Sequence, residues 1–321
     1  MNHQSNASGP LSRAADHLPS FSIVVPTHRR VAALARLLRG LAKLDYPAER
    51  REVLVVDDGG GLRREHLPAE VAALPGMRLL SQEHAGPAAA RNRGAAAAQG
   101  DCLAFIDDDC QPHRSWLRHL AQGLTRRPRA ACGGAVINRL VHNRYSQASQ
   151  MVVDHLYQHL NTAGGRAGFL ASNNLAVGRR DFWAVGGFDT AFSFAGAEDR
   201  HFCRRWIDSG RHLVYLPQAV VNHFHHLDLR GFLRQHMRYG RGSQLLRRRC
   251  GSADFFEPSF YLSLVGRGIR QRSGLRGLQL SALLLAAQAA TAGGYLAQGL
   301  RLARAAARQP GAVQAKPPVG E

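Results

Sequence analysis

Lysine is nearly missing from this chain: Lys43 and Lys316 are the only two. Positive charge is not scarce, because 42 basic residues against 23 acidic ones leave a net +19, almost all of it arginine. A surplus of that size favours anionic partners such as phosphates, nucleic acid or an anionic membrane face, without choosing among them. Cysteine is sparse as well. Cys102, Cys110, Cys132, Cys203 and Cys250 form an odd set with no C-x-x-C pair, which argues against a disulfide framework or zinc knuckle and for a reducing, cytoplasmic setting. The segment 1–20 holds no apolar run able to serve as a signal-peptide core, so secretion is not expected and the segment reads as a flexible lead. Residues 309–321, rich in Pro, Gly and Ala, read as a flexible tail. With 45% hydrophobic and 20% charged residues, the 321-residue chain has the composition of a folded protein of one large or two small domains.

Between the two tails the first half alternates strand and helix patterns. Residues 21–25 are a short apolar, β-branched run halted by Pro26, as in a buried strand entering a loop. Val31, Leu34, Leu37, Leu38, Leu41 and Leu44 then recur at helical spacing, leaving Arg36, Arg39 and Lys43 on the solvated side. A second strand, 53–56, runs into Asp57-Asp58 and three glycines, and 77–80 is a weaker third. The alanine-rich stretch 88–99 follows Gly86-Pro87 and predicts a helix ending at Gly100. The strand 103–106 leads directly into Asp107-Asp108-Asp109. This order predicts an α/β fold with a mostly parallel, Rossmann-like sheet flanked by helices. Such sheets bind ligands beyond the carboxyl ends of their strands, which is where Pro26-Thr27-His28-Arg29, Asp57-Asp58 and Asp107 to Asp109 all fall.

The acidic triplet suggests the chemistry. Carboxylates two residues apart at a strand end reach one hard cation, and a divalent ion held by one or two carboxylates plus substrate phosphates is the usual Mg²⁺ or Mn²⁺ arrangement. Asp107 and Asp109 are therefore the candidates for metal and ribose contacts; alternation points Asp108 elsewhere, and Asp107 and Asp108 are both counted as candidate donor-binding residues. Taken alone the triplet also reads as a solvated acidic turn. In a chain this basic, however, three adjacent acids repel one another unless something positive neutralises them. No G-x-x-x-x-G-K-S/T loop is present, so a phosphate-cradling NTPase is excluded.

The stretches SIVVPTHRR (22–30), VLVVDDGG (53–60), GPAAARNRGAAAAQGD (86–101), LAFIDDDCQP (103–112), ASNNLAVGRRDFWAVGGFD (171–189) and GAEDRHFCRRW (196–206), in this order, resemble glycosyltransferase family 2 with its GT-A nucleotide-diphospho-sugar fold. The resemblance implies an inverting, metal-dependent transfer of a sugar from a nucleotide-diphospho-sugar donor to an acceptor hydroxyl. By it, Pro26, Thr27 and Arg29 line the nucleotide pocket, and Asp58 accepts a hydrogen bond from the base, suiting the imide N–H of uracil. Asp57 supports the ribose side, and Arg91 approaches the diphosphate near a helix N-terminus. Asn173, Asn174 and Trp206 belong to the acceptor side. Asp199 becomes the base that takes the acceptor proton, with Glu198 orienting the acceptor. His223 is the third metal ligand. The Arg204-Arg205-Trp206 ending looks like that of processive members, but the glutamine that precedes it there is absent, so a single transfer fits better.

The expected layout is a GT-A domain over 21–235 and a basic, apolar helical region over 236–308. Arg230, Arg234, Arg238 and Arg241, punctuated by Phe232, Leu233, Met237 and Tyr239, suggest an amphipathic helix. Residues 278–300 carry no charge, a length that can cross a bilayer, yet their many Ala, Gln, Ser, Thr and Gly favour packing on the protein or lying in a membrane interface. The partners expected are a nucleotide sugar, a glycan, lipid-linked or small-molecule acceptor, and an anionic membrane surface at the cytoplasmic face. Nucleic acid is not expected, because no nucleic-acid module is recognisable. Two rival readings are a basic nucleic-acid-binding protein and a nucleotidyltransferase on the same fold; the latter leaves Glu198-Asp199 unexplained.

Overall fold

The structure is a computed structural model that describes residues 18–161, 166–251 and 256–308. The chain divides into two compact units at Leu227 and Asp228. In the first, β1 (Phe21–Thr27), α1 (Val31–Ala42), β2 (Arg51–Asp58), α2 (Ala69–Ala72), β3 (Met77–Gln82), α3 (Pro87–Ala97) and β4 (Cys102–Phe105) alternate, all but the short α2 as the sequence pattern predicts. They continue with β5 (Cys110–Pro112), α4 (Trp116–Arg126), β6 (Ala131–Asn138), α5 (Arg144–Leu160), β7 (Arg166–Ala167), β8 (Leu175–Gly178), α6 (Arg179–Ala184), α7 (Glu198–Asp208) and β9 (Leu213–His223).

The strands form one nine-stranded sheet in the order β3-β2-β1-β4-β8-β6-β9-β5, with β7 also on β9. Its first half, β3-β2-β1-β4, is wholly parallel. Its second half is mixed: β8 runs antiparallel to both β4 and β6, β5 and β7 run antiparallel to β9, and only β6 and β9 are parallel. The parallel sheet expected from sequence is thus half of the sheet. The antiparallel strands are short, two to four residues where β5, β7 and β8 are concerned, too brief to show a period of their own.

Every residue of β1 is buried, because helices cover both faces of the parallel half. Ile23 and Val25 join Leu34, Leu37, Leu38 and Leu41 of α1 and Trp116, Leu117 and Leu120 of α4 in one core layer. Val24, Leu54, Leu103 and Phe105 join Ala88 and Ala95 of α3, Phe182 of α6, and Phe202 and Trp206 of α7 in the other. Burying each such aliphatic side chain contributes about 1.5–3 kcal/mol. The alanines of α3 let its backbone approach the sheet closely, and a Cβ on Gly94 would collide with Val24.

The second unit holds α8 (Leu229–Cys250), α9 (Pro258–Gln271) and α10 (Gly274–Arg308). The span 274–305 of α10 is long and apolar enough to cross a membrane by length and composition. Residues 1–17 of the expected 1–20 lead and the expected tail 309–321 lie outside the described residues, while 18–20 are fixed to the fold, with Ser20 donating to Asp101 and the Pro19 carbonyl accepting from Tyr46.

Candidate active site

Parallel strands end on the same edge, and register fixes what meets there. Thr27 of β1 pairs with Asp57 of β2, and Asp58 with Gln82 of β3. Asp57 closes its own loop, accepting from the N–H groups of Gly60 (3.1 Å) and Leu62 (2.9 Å). Asp58 is buried, and its carboxylate is fully engaged. Oδ1 accepts from Gln82 and the Ala85 N–H, both at 2.8 Å, while Oδ2 accepts from the Gly86 N–H at 2.9 Å and has His84 Nδ1 at 2.9 Å. Burial alone raises its pKa, but these donors, led by the Ala85 N–H, outweigh burial and hold it below the usual carboxylate range. His28 Nδ1 donates to the Asp58 carbonyl at 2.7 Å, and its ring lies 4.6 Å from that of His84. The sequence placed His28 in the strand-end group 26–29 without a role of its own, and gave no sign of His84.

Pro26 is buried within β1, and Arg29 is exposed. Arg29 holds a left-handed backbone (φ 55°), a conformation costly for any residue with a Cβ. That turn delivers Arg30, another residue not singled out from sequence. Its Nη1 lies 2.8 Å from both Asp108 Oδ1 and Asp109 Oδ2. Thr27 Oγ1 donates to Asp108 Oδ2 at 2.7 Å. The acidic triplet therefore carries the counter-charge its sequence demands. Asp108 is nevertheless pushed up to about 6, because burial outweighs Arg30 and the neighbouring Asp109 adds repulsion.

Asp109 faces the far end of β9. The antiparallel register of β5 and β9 pairs Cys110 with His223, and the Phe224 N–H donates to the Asp109 carbonyl at 2.9 Å. This places His223 Nε2 3.3 Å from Asp109 Oδ1. Burial would raise Asp109, but the His223 hydrogen bond and the charges of His223 and Arg30 hold it well below the usual range. His223 is raised in turn: burial opposes its charge, and Asp109 overcomes that. His225 stacks on His223 at 5.0 Å and is pushed down to about 4 by burial and by the His223 charge. Ligand atoms of Asp109, Cys110 and His223 all lie within 4.8 Å of one another. A carboxylate beside an imidazole fits a divalent ion such as Mn²⁺. The Cys110 thiol is raised well above its ordinary value by burial and by Asp109. Asp107 is drawn the other way, accepting from Arg91 Nη2 at 2.7 Å.

Arg91 joins the two sides of the site. It is 3% exposed, and its other nitrogen, Nη1, donates to Glu198 Oε1 at 3.1 Å. Burial disfavours its charge, but Asp107 and Glu198 more than restore it, raising its pKa. The guanidinium thus bridges Asp107 and Glu198, while its Nε is buried with no hydrogen-bond partner. Glu198 Oε2 accepts from the Gly196 N–H at 2.7 Å. Both oxygens are thus occupied, which makes Glu198 a brace for the start of α7. Ala197, with φ 70°, turns the chain into that helix. Asp199 follows, half-buried, accepting from the Arg200 N–H at 2.8 Å. Burial, with Glu198 adjacent, raises its pKa to about 7.

The acceptor-side expectations divide. Asn174 is fully buried, takes a hydrogen bond from Trp116 Nε1 (2.8 Å) and donates to the carbonyls of Ala135 (3.1 Å) and Ala219 (2.8 Å). Trp206 is fully buried, with Nε1 donating to the His212 carbonyl at 3.1 Å. Both hold the fold together and are out of reach of a bound acceptor, a correction to their expected role. Asn173 differs: its side-chain oxygen is buried with no hydrogen-bond partner.

The profile described as glycosyl transferase family 2 matches residues 22–186, and a pre-mycofactocin glycosyltransferase of Mycobacterium tuberculosis is 31% identical over 251 residues, 74% of this chain. The chain belongs to glycosyl transferase family 2. It spans about half of that relative, covering 48% of its length. Among solved structures, the mannosyltransferase PcManGT from Pyrobaculum calidifontis in complex with GDP-Man and Mn²⁺ aligns over 92% of this chain and 82% of its own, with TM-score 0.57 and 22% identity. S. aureus TarS 1-349 in complex with UDP-GlcNAc aligns over 91% and 92%, with TM-score 0.57 and 16% identity. These likenesses show the shared GT-A fold.

Proposed function

We propose that this chain transfers a glycosyl group from a nucleotide-diphospho-sugar to an acceptor hydroxyl, with inversion and one sugar at a time. The observation that carries this reading is the Arg91 bridge, which brings Asp107 of the strand-end triplet and Glu198, the neighbour of Asp199, onto one guanidinium. Asp199, raised toward neutrality, takes the proton of the acceptor hydroxyl as its oxygen attacks the anomeric carbon. Glu198 and Arg91 fix where that carboxylate stands. Asn173 offers its unpaired oxygen to a sugar or acceptor hydroxyl.

Asp109 and His223 are the residues that would hold Mn²⁺ or Mg²⁺; use of a divalent ion is in keeping with PcManGT and GalNAc-T7, both solved with Mn²⁺. When bound, the ion would offset charge on the diphosphate leaving group. A UDP donor is in keeping with TarS, solved with UDP-GlcNAc. With Asp58 saturated, the base reaches it by exchanging a side-chain donor, Gln82 or His84, for its own N–H. A thermal-shift screen of nucleotide sugars with and without Mn²⁺ tests the reading. Stabilisation by one nucleotide sugar only with metal present is the expected result; no response to any nucleotide sugar refutes it.

A further inference from the structure

The helical unit carries more of the chain's charge than its length would give it: from Asp228 onward there are fifteen basic residues and four acidic ones. Within it, α10 shows two faces. Leu280, Ser281, Leu284, Ala287, Gly294 and Gln298 are buried. Among the described residues the other face is open, with Leu278 58%, Leu285 61%, Leu296 65% and Leu300 60% exposed. Ala282, Ala289 and Ala292 continue the same stripe at helical spacing. No charged residue interrupts it between Arg276 and Arg301, and exposed arginines bound it: Arg272 and Arg276 at one end, Arg301 and Arg304 at the other.

The buried face argues against a membrane span. Two glycines let α8 and α10 cross in close contact: a Cβ on Gly240 would collide with the Thr291 carbonyl, and one on Gly294 with that of Met237. That contact brings guanidinium groups alongside the uncharged stretch. Arg241 Nε donates to Gln298 Oε1 at 3.4 Å, and Arg247 Nη1 to the Tyr295 hydroxyl at 2.8 Å. Spanning a bilayer with residues 278–300 would carry these arginines into hydrocarbon, where charge is strongly disfavoured. A helix lying in the interface meets no such conflict. Its leucines enter the acyl boundary, while the bounding arginines reach lipid phosphates.

We propose that the exposed stripe of α10 is a docking surface for an anionic lipid bilayer, on which the helix lies in the interface with Leu278, Leu285, Leu296 and Leu300 inserted and the flanking arginines on the headgroups. Docking through this stripe involves neither donor nor acceptor, so its failure leaves the transfer reaction untouched. The test sediments the full chain with vesicles of phosphatidylcholine and phosphatidylglycerol, and with vesicles of phosphatidylcholine alone. Binding to the anionic vesicles alone, weakening as salt rises, is expected. The double variant Leu285→Glu/Leu296→Glu, whose sites are already exposed, is expected to keep the parent's melting temperature and lose at least about tenfold in vesicle affinity. Alkaline carbonate is expected to release the chain from membranes of expressing cells.

Equal binding of the double variant and the parent overturns the proposal, because charge alone would then account for attachment. Resistance to carbonate overturns it in favour of a span. A leucine-dependent dimer in lipid-free solution that ignores vesicles assigns the face to a second copy. A chain that ignores both vesicle types but retains duplex DNA assigns the arginines to nucleic acid.

Discussion

Asp109 and Asp199 stand in the same candidate site, yet their surroundings pull their protons in opposite directions. Asp109 is the more buried, and burial should raise it, but His223 and Arg30 surround it with positive charge and keep it ionised. At Asp199 the charges of Arg91, itself paired with Glu198 and Asp107, and of Arg200 are outweighed by burial and the adjacent Glu198 carboxylate, which raise it. Burial alone does not decide which way a carboxylate's proton goes; the balance of charges beside it does. In the proposed reaction one acid holds a cation and the other accepts a proton.

The sharpest way to break this comparison is Asp199→Asn. Loss of a general base is expected to lower kcat by about 10²–10⁴ while leaving donor KM and the Mn²⁺-dependent thermal shift in place; steady-state kinetics and melting curves separate the two. The pH dependence follows from the raised pKa. In the parent, kcat/KM should climb as pH rises toward about 7 and then level, because the base works deprotonated. Stability should run the other way. Between the ordinary carboxylate pKa and about 7 the folded state binds the extra proton, so the parent loses stability as pH rises through that window. Asp199→Asn, unable to ionise, should therefore gain melting temperature over the parent at pH 8 compared with pH 5.

Arg91→Met strikes the bridge itself. Removing one partner of a buried ion pair strands Glu198 and Asp107, at a cost of about 3–5 kcal/mol measured by denaturant unfolding. Next come the adjacent asparagines. Asn174→Ala leaves the Trp116 N–H and two carbonyls without partners and should cost about 1–3 kcal/mol for each group left unsatisfied. Asn173→Ala, removing an oxygen that has no partner, should leave stability within about 0.5 kcal/mol and raise KM instead. The smallest effect is expected at Ala197→Gly. Relief of the left-handed backbone and the looser unfolded chain nearly cancel, for a change within about 1 kcal/mol. A fall in kcat at unchanged stability would show that the turn positions Asp199.

Much of the donor side was readable from the chain because its logic is local. An apolar β-branched run followed at once by Asp57-Asp58 or Asp107 to Asp109 declares both a strand and the residue at its end. Parallel neighbours then bring those ends together. Arg30 was harder to see, since nothing in PTHRR marks which arginine turns inward; the left-handed Arg29 decides that. The two asparagines look alike in sequence, and only the short turn before β8, 172–174, sends one into the core against Trp116 and leaves the other's oxygen unpaired. Trp206 was placed on the acceptor side by resemblance alone, and the structure packs it with Phe182 and Phe202 in the core layer under α7.

The sequence by itself determined the alternating elements, the acids at their ends, the basic surplus and the uncharged stripe of α10, because each depends on neighbours within a few turns or one strand. The tertiary structure decided which acids share a cation. Arg91 meets partners 16 and 107 residues away, and His223 reaches Asp109 only through the register of β5 on β9. Charge pairing acts across space, and distance along the chain does not encode it until the sheet has closed.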